Sequence, residues 1–211
     1  MRTTNPMLPP GYSAVPPGMI ATVVTCLEMR ARPVLSGSPL PAGLRLTRAF
    51  DPALSEYRAL FRRIGEDWLW TSRLEMSDAA LGAILTDPKV ELFVLSNDRG
   101  PIGMLELDFR VDGEGEIAFF GLVGDAVGAG AGRLMMDQAL AIAWSRPIRR
   151  LWVHTCHFDH PRALGFYQRA GFVPYATLID VIRDPRLTGL LPDHVAPHVP
   201  PMPPSDGPGS P

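Results

Sequence analysis

The sequence predicts a single domain of mixed α/β (α+β) class. Three observations carry that expectation. Strand-like and helix-like periodicities alternate along the chain. Three strand-like stretches near its middle are joined by short polar turns, which reads as an antiparallel meander. After them comes one strand–helix–strand crossover, entered through a glycine-rich loop. The bulk numbers agree: 211 residues, 46% hydrophobic and 20% charged, enough for one domain with a sizeable core.

The elements follow in order. Residues 20–29 are β-rich and read as a strand, residues 33–41 as a loop and 44–47 as a short strand. Asp51-Pro52 has the form of a helix cap followed by proline at the first helical position. Tyr57, Leu60, Phe61 and Ile64 then recur at helical spacing. Ser77 is placed to cap a second helix carrying Leu81 and Leu85. The meander runs through 90–96, 101–110 and 116–123, with turns at 97–100 and 111–115. Its last strand is apolar enough to be buried on both faces. A helix over 133–144, a strand over 150–157, a helix over 161–170 stopped by Gly171, and strand material over 172–182 complete the order.

Composition excludes several functions. A net charge of −2 argues against a dominant nucleic-acid or anionic-membrane surface. Cys26 and Cys156 make no disulfide framework and fit reduced thiols in a cytoplasmic protein. No stretch has the form of a secretory signal or is long enough to span a bilayer. Proline crowds both ends, so residues 1–18 and 186–211 are expected to be extended or disordered around a domain at 19–185.

The segment GDAVGAGAGRLMMDQALAIAW, residues 124–144, carries the first functional signal. Glycine costs folding entropy, so its repetition beside a helix start implies a need for bare backbone. The helix presents unpaired N–H groups and the positive end of its dipole, and such a terminus holds phosphate or pyrophosphate. The loop is not of Walker type, because no Gly-Lys-Ser/Thr follows, and its spacing is not that of a dinucleotide fold.

The second signal is HPRALGFYQRAGFVPY, residues 160–175. Together with FFGLVGDAVGAGAGRLM, it resembles the GCN5-related N-acetyltransferase (GNAT) superfamily. That family has Arg/Gln-x-x-Gly-x-Gly/Ala after a bulged central strand, then Asn-x-x-Ala-x-x-Phe-Tyr-x-x-x-Gly-Phe. The likeness covers about 44–180 in element order and 116–175 in motifs. Val127 stands where the family has Arg or Gln, and His160 where it has Asn. The resemblance implies a central twisted mixed sheet, splayed between two strands and flanked by helices. It also implies acetyl-CoA as cosubstrate, held by Val127, Gly128, Ala129, Gly130, Ala131, Gly132, Arg133 and His160.

Acetyl transfer to an amine then sets the remaining roles. The thioester carbonyl needs donors for its developing charge, and the Leu122 and Val123 N–H groups are the candidates. The pantetheine arm would add to the same strand as an edge. An amine attacks only when neutral, so a base is required. Glu116 stands at the spacing where the histone-modifying branch of the family keeps its glutamate. Glu106 and Asp108 are lesser candidates, read as solvent-face residues. Tyr167 occupies the family's tyrosine position, and its phenol would protonate the departing thiolate and touch the cofactor.

Two further features are weighed against this reading. HTCHFDH, residues 154–160, is rich in metal-ligand types, but alternation sends His154 and Cys156 to one face and His157 to the other, so no metal is expected. Trp68 and Trp70 suit either core packing or an aromatic wall for a cationic or apolar acceptor. The expected activity is therefore direct transfer from acetyl-CoA to a primary amine of a small molecule or peptide. The alternatives are a catalytically silent acyl-CoA-binding or sensor protein on the same fold and, more weakly, a nucleotide-phosphate binder. The sequence allows a homodimer and leaves the acceptor open.

Overall fold

The computed structural model describes residues 3, 5–35, 39–128 and 130–202. In chain order its elements are β1 (Met19–Met29), β2 (Arg45–Ala49), α1 (Leu54–Gly65), α2 (Asp78–Leu85), β3 (Val90–Asn97), β4 (Gly100–Asp108), β5 (Glu114–Leu122), α3 (Ala131–Ala143), β6 (Arg150–Cys156), α4 (Ala163–Arg169) and β7 (Val173–Arg183). The mixed α/β class read from the sequence is the class observed.

Local chemistry explains most boundaries. Ser77 Oγ accepts the Ala80 N–H at 3.2 Å and starts α2. Gly171 takes φ 101°, and the Phe172 N–H closes back on the Tyr167 carbonyl to end α4. Two expected starts are corrected. Asp51 sits at φ 48° and caps nothing, so α1 begins three residues later behind Ala53. Residues 160–163 form a turn through the Ala163 N–H and the His160 carbonyl, which delays α4 to Ala163.

The seven strands run in the order β2-β3-β4-β5-β6-β1-β7. Every neighbouring pair is antiparallel except β5 and β6. β1 is an interior strand, paired with β6 on one side and β7 on the other. Nothing local in its sequence announced that position. The helices α1 and α2 cover one face through Tyr57, Phe61, Ile64 and Leu81. The helices α3 and α4 cover the other through Met136, Ala139, Leu140 and Tyr167. No helix among the described residues is long and apolar enough to cross a membrane.

The parallel pair is short. β5 and β6 hold register only over Glu114–Glu116 with Arg150–Trp152. Past that point the strands part. The β4–β5 register also shifts between Ile117 and Phe119, which makes Ala118 a bulge that bends β5. β5 was expected to be buried on both faces. Beyond Ile117 it is only half-buried, because a cavity opens along the split.

The proline-rich C-terminal segment was expected to be extended or disordered. As far as residue 202 it packs onto the domain. Leu191, Val195 and Ala196 join Ile20, Leu69 and Phe158 in one buried cluster. Arg186 pairs with the fully buried Asp184 at 2.8 Å and donates to the Val199 carbonyl at 2.7 Å. Residues 203–211 lie outside the described part.

Candidate active site

The split in the sheet is the mouth of a cavity of about 850 Å³. Registered partners share a face, and alternate residues of a strand return to it. Asp108 on β4 pairs with Glu116 on β5, which pairs with Trp152 on β6. His154 and Cys156 follow Trp152 at alternate positions, and Cys156 leads through Val24 and Thr22 to Asp180 and Ile182. Asp108, Glu116, His154, Thr22 and Asp180 therefore form one floor across five adjacent strands, all of it lining the cavity. Trp68, Trp70 and Arg73, from the segment between α1 and α2, line it from above.

The cavity passes through the sheet. Phe119 stacks toward Trp70 at 5.4 Å on the α1 side. Its neighbour Phe120 faces Phe166 at 5.5 Å on the α4 side. One end of the cavity thus lies under α1 and the other against α3 and α4.

At the α3 end, Gly128 and Gly130 take φ 101° and 83°, a region other residues rarely enter. Gly132 has no such constraint, and a Cβ there would make ordinary contacts with Leu122 Cδ1 at 3.6 Å and Phe166 Cε2 at 4.0 Å. Arg133, Arg162 and Arg169 line this end, and none has a carboxylate partner among the described residues. The first turn of α3 points its leading N–H groups the same way.

Several backbone donors differ from expectation. The Val123 N–H donates to the Ile102 carbonyl at 2.9 Å and is not free. Antiparallel alternation then turns the backbone groups of Leu122 and Phe120 away from β4 and toward the split. The Val127 N–H is likewise committed to the Gly124 carbonyl at 3.1 Å.

Glu116 stands where the strands part. Burial, and then the negative charge of Asp108 beside it, push its carboxyl up to about 7. His154 Nδ1 lies 4.0 Å from its Oε1. Asp108 itself is held by Arg110 at 2.5 Å. Tyr167 is packed among Phe120, Phe166 and Phe172. Burial, then the charge of Asp159, raise its phenol above the ordinary tyrosine range, so the hydroxyl stays protonated. That hydroxyl has no hydrogen-bond partner among the described residues.

His160 accepts the Arg162 N–H on Nδ1 at 3.1 Å, so the proton of the neutral ring sits on Nε2. Burial, then the Arg162 charge, hold its pKa below the usual value. Trp68 lies between His160 and His198, with ring centroids 5.2 and 6.0 Å away. Glu106 was read as a solvent-face residue and is fully buried. Arg73 pairs with it at 2.5 Å and Tyr57 donates to it at 2.7 Å.

The cavity thus gathers Glu116, Tyr167, Leu122, Val127, Gly128, Gly130, Gly132, Arg133 and His160. It leaves out Val123 and the buried Ala131. Ala129 lies outside the described residues. Sequence reading missed Arg73, Asp159, Arg162 and Arg169, which also line it. For Arg162 the signal was present, since it stands two residues after His160 at the helix entrance.

A mixed sheet split between its one parallel strand pair, with a glycine loop and helix start at the split, defines the GNAT class of fold. The model of the acetyltransferase (GNAT) family matches residues 54–172, more than half of the chain, and the protein belongs to that family. Solved structures agree on the fold. A GCN5-related N-acetyltransferase from Kribbella flavida is similar with a TM-score of 0.52 and 20% identity, over 82% of this chain and 63% of that one. Another from Sphaerobacter thermophilus has a TM-score of 0.54 and 16% identity, over 80% of this chain and 52% of that one. A conserved protein of unknown function from Staphylococcus epidermidis has a TM-score of 0.53 and 13% identity, over 79% and 64%. This chain thus spans between about half and two thirds of the length of each. No curated protein matches the sequence.

Proposed function

We propose that this chain transfers an acetyl group from acetyl-CoA to a primary amine of a small molecule or peptide, by direct attack in a ternary complex. One observation carries the reading. A single cavity joins a carboxyl raised to about 7, at Glu116, to a protonated phenol and, on the far side of the sheet, a glycine loop flanked by Arg133, Arg162 and Arg169.

Polyanionic coenzyme A suits the α3 end. Arg133, Arg162 and Arg169 would meet its phosphates, with the N–H groups at the start of α3 and His160 Nε2 as further donors. The arginines offset the absence of a cationic or amide side chain at Val127. The Leu122 and Phe120 N–H groups would serve the pantetheine arm and the thioester oxygen.

The acceptor belongs at the other end. Trp68, Trp70 and Phe119 offer aromatic surface, while Asp159, Asp180, Glu75 and Glu116 have no arginine or lysine partner among the described residues. That lining favours a cationic amine. Glu116 takes a proton from the ammonium, the neutral nitrogen attacks, Tyr167 protonates the leaving thiolate, and the second proton shed by the nitrogen as the amide forms restores the phenol. The cysteines are unpaired, in keeping with a cytoplasmic setting.

The test is free-thiol release from acetyl-CoA against amino acids, polyamines, aminoglycosides and peptide N-termini. At least one amine is expected to turn over, and Glu116→Gln and Tyr167→Phe are each expected to slow it by about 10²-fold or more. Tight coenzyme A binding without turnover on any amine would instead establish a silent acyl-CoA-binding protein.

A further inference from the structure

We propose that His154 is the proton exit of this site, relaying the proton that Glu116 takes from the acceptor to the open side of the chamber. The inference rests on the acetyl-transfer reading above. It concerns a residue that reading leaves without a role.

Proton balance sets the requirement. An ammonium acceptor must lose two protons to become an amide. One is returned to the sulfur of coenzyme A as the thioester carbon–sulfur bond breaks and the carbon–nitrogen bond forms. The other is left on Glu116 and must reach solvent before the next cycle. Glu116 stands where β5 and β6 part, with its side chain 24% exposed. A carboxyl that stays protonated there cannot act again.

His154 is the titratable group set to receive that proton. Its Nδ1 is 4.0 Å from Glu116 Oε1, just beyond hydrogen-bond reach, so a small side-chain rotation closes the gap. Nδ1 is buried and has no hydrogen-bond partner. The side chain as a whole is nevertheless 35% exposed. The ring therefore presents a sealed nitrogen to the base and its other edge to the chamber. Imidazole can accept at one nitrogen and release from the other.

The surroundings favour passage over storage. Asp159, from the turn after β6, and Asp180, on β7, both stabilise a charged ring, while burial opposes it more strongly and keeps the resting ring neutral. Cys26 on β1 is its cross-strand partner, and Trp152 stacks on it at 6.2 Å. Arg73, a cation of the roof, is already committed to Glu106. A neutral ring between a base and two carboxylates takes up a proton only briefly. In balance, Glu116–H gives its proton to Nδ1 and the imidazolium loses the Nε2 proton to water, which restores the Glu116 carboxylate and leaves the ring as its Nδ1–H tautomer; proton exchange with water in the chamber then returns the ring to its Nε2–H form.

The experiment uses the full chain in two arms. In the first, ring NMR signals of His154 are titrated with no ligand present. Above pH 7, where Glu116 is ionised, Glu116→Gln is expected to shift the ring nitrogen signals of His154, and unshifted signals overturn the proposal. In the second, His154→Ala and His154→Gln are assayed with the panel amine that releases thiol fastest. Both are expected to lose on the order of 10-fold to 100-fold in kcat with the acetyl-CoA KM unchanged. Added imidazole is expected to restore part of the loss in His154→Ala and none in His154→Gln, whose side chain fills the space. Full kcat in both variants, or a loss that imidazole does not touch, overturns the relay and leaves the transferase reading intact. If no amine releases thiol, the transferase reading fails and the relay falls with it.

Discussion

The indole of Trp70 donates from Nε1 to Asp159 Oδ1 at 3.0 Å, joining the segment between α1 and α2 to the turn after β6. These segments belong to opposite walls of the split. Asp159 also accepts the Thr155 hydroxyl at 2.7 Å and the Cys156 N–H at 2.9 Å. One carboxylate thus fixes both its own turn and the roof of the cavity. The indole is seated against bare backbone. A Cβ on Gly65 would lie 2.5 Å from Trp70, and one on Gly121 would lie 2.4 Å from Ile64.

This relationship predicts a graded series. Trp70→Phe keeps most of the packing and loses one hydrogen bond, so it is expected to cost about 1 kcal/mol. Asp159→Ala orphans three donors and is expected to cost about 2–3 kcal/mol. Gly121→Ala overpacks the seat and belongs in the range of about 1–3 kcal/mol. Urea unfolding monitored by tryptophan fluorescence would rank them. A cost for Asp159→Ala no larger than that for Trp70→Phe would mean the carboxylate does not organise the turn.

The Glu116 carboxyl makes a pH prediction with a definite sign. Its ordinary value is 4.5 and its folded value about 7, so the folded protein holds this proton more tightly than the unfolded chain. Stability from this group is fully present below about 4.5 and is lost as pH rises through about 7. Glu116→Gln should therefore gain stability relative to the parent between those limits and keep that gain above them. Turnover runs the other way, because the base must be ionised. The acid limb of kcat/KM is expected near 7, and a limb near 4.5 would remove Glu116 from the role.

How much of this was legible in the chain follows from sequence distance. Glu116 and the glycines lie on one strand–loop–helix unit and Tyr167 in a second short motif on α4, so short-range spacing was enough to single them out, and the cavity lining includes them. Glu106 shows the opposite case. Its LELD setting alternates as a half-exposed strand does, and its burial is explained by Arg73 and Tyr57, 33 and 49 residues away. The central position of β1 depends on partners more than a hundred residues later, Leu151–Cys156 and Val173–Arg183. The C-terminal segment read as disordered because proline masks periodicity, while its anchor is the local pair Asp184–Arg186.

The buried Arg73–Glu106 pair predicts a large penalty when broken from one side. Glu106→Gln leaves Arg73 charged in a nearly sealed site and is expected to cost about 3–5 kcal/mol. Tyr57→Phe removes one donor to the same carboxylate and is expected to cost about 1–2 kcal/mol. The double substitution should cost less than the sum, because both remove parts of one network. Strict additivity in denaturant unfolding would show that the tyrosine acts independently.

The three arginines at the α3 end make the last prediction, on binding rather than stability. Arg133, Arg162 and Arg169 line the cavity with no carboxylate partner among the described residues, so replacing them leaves no buried charge behind. Arg162→Gln and Arg169→Gln are each expected to leave the unfolding free energy within the small range of surface substitutions, about 0.5 kcal/mol. Each is expected to weaken coenzyme A binding by about tenfold, the loss of one charge-assisted phosphate contact. That loss should shrink as salt is raised, since partly exposed ion pairs are screened. Thermal unfolding checks the first statement, and calorimetric titration of coenzyme A at low and high ionic strength checks the other two. Unchanged affinity in both variants would place the phosphates elsewhere and leave the glycine loop and the N–H groups of α3 to hold them unaided.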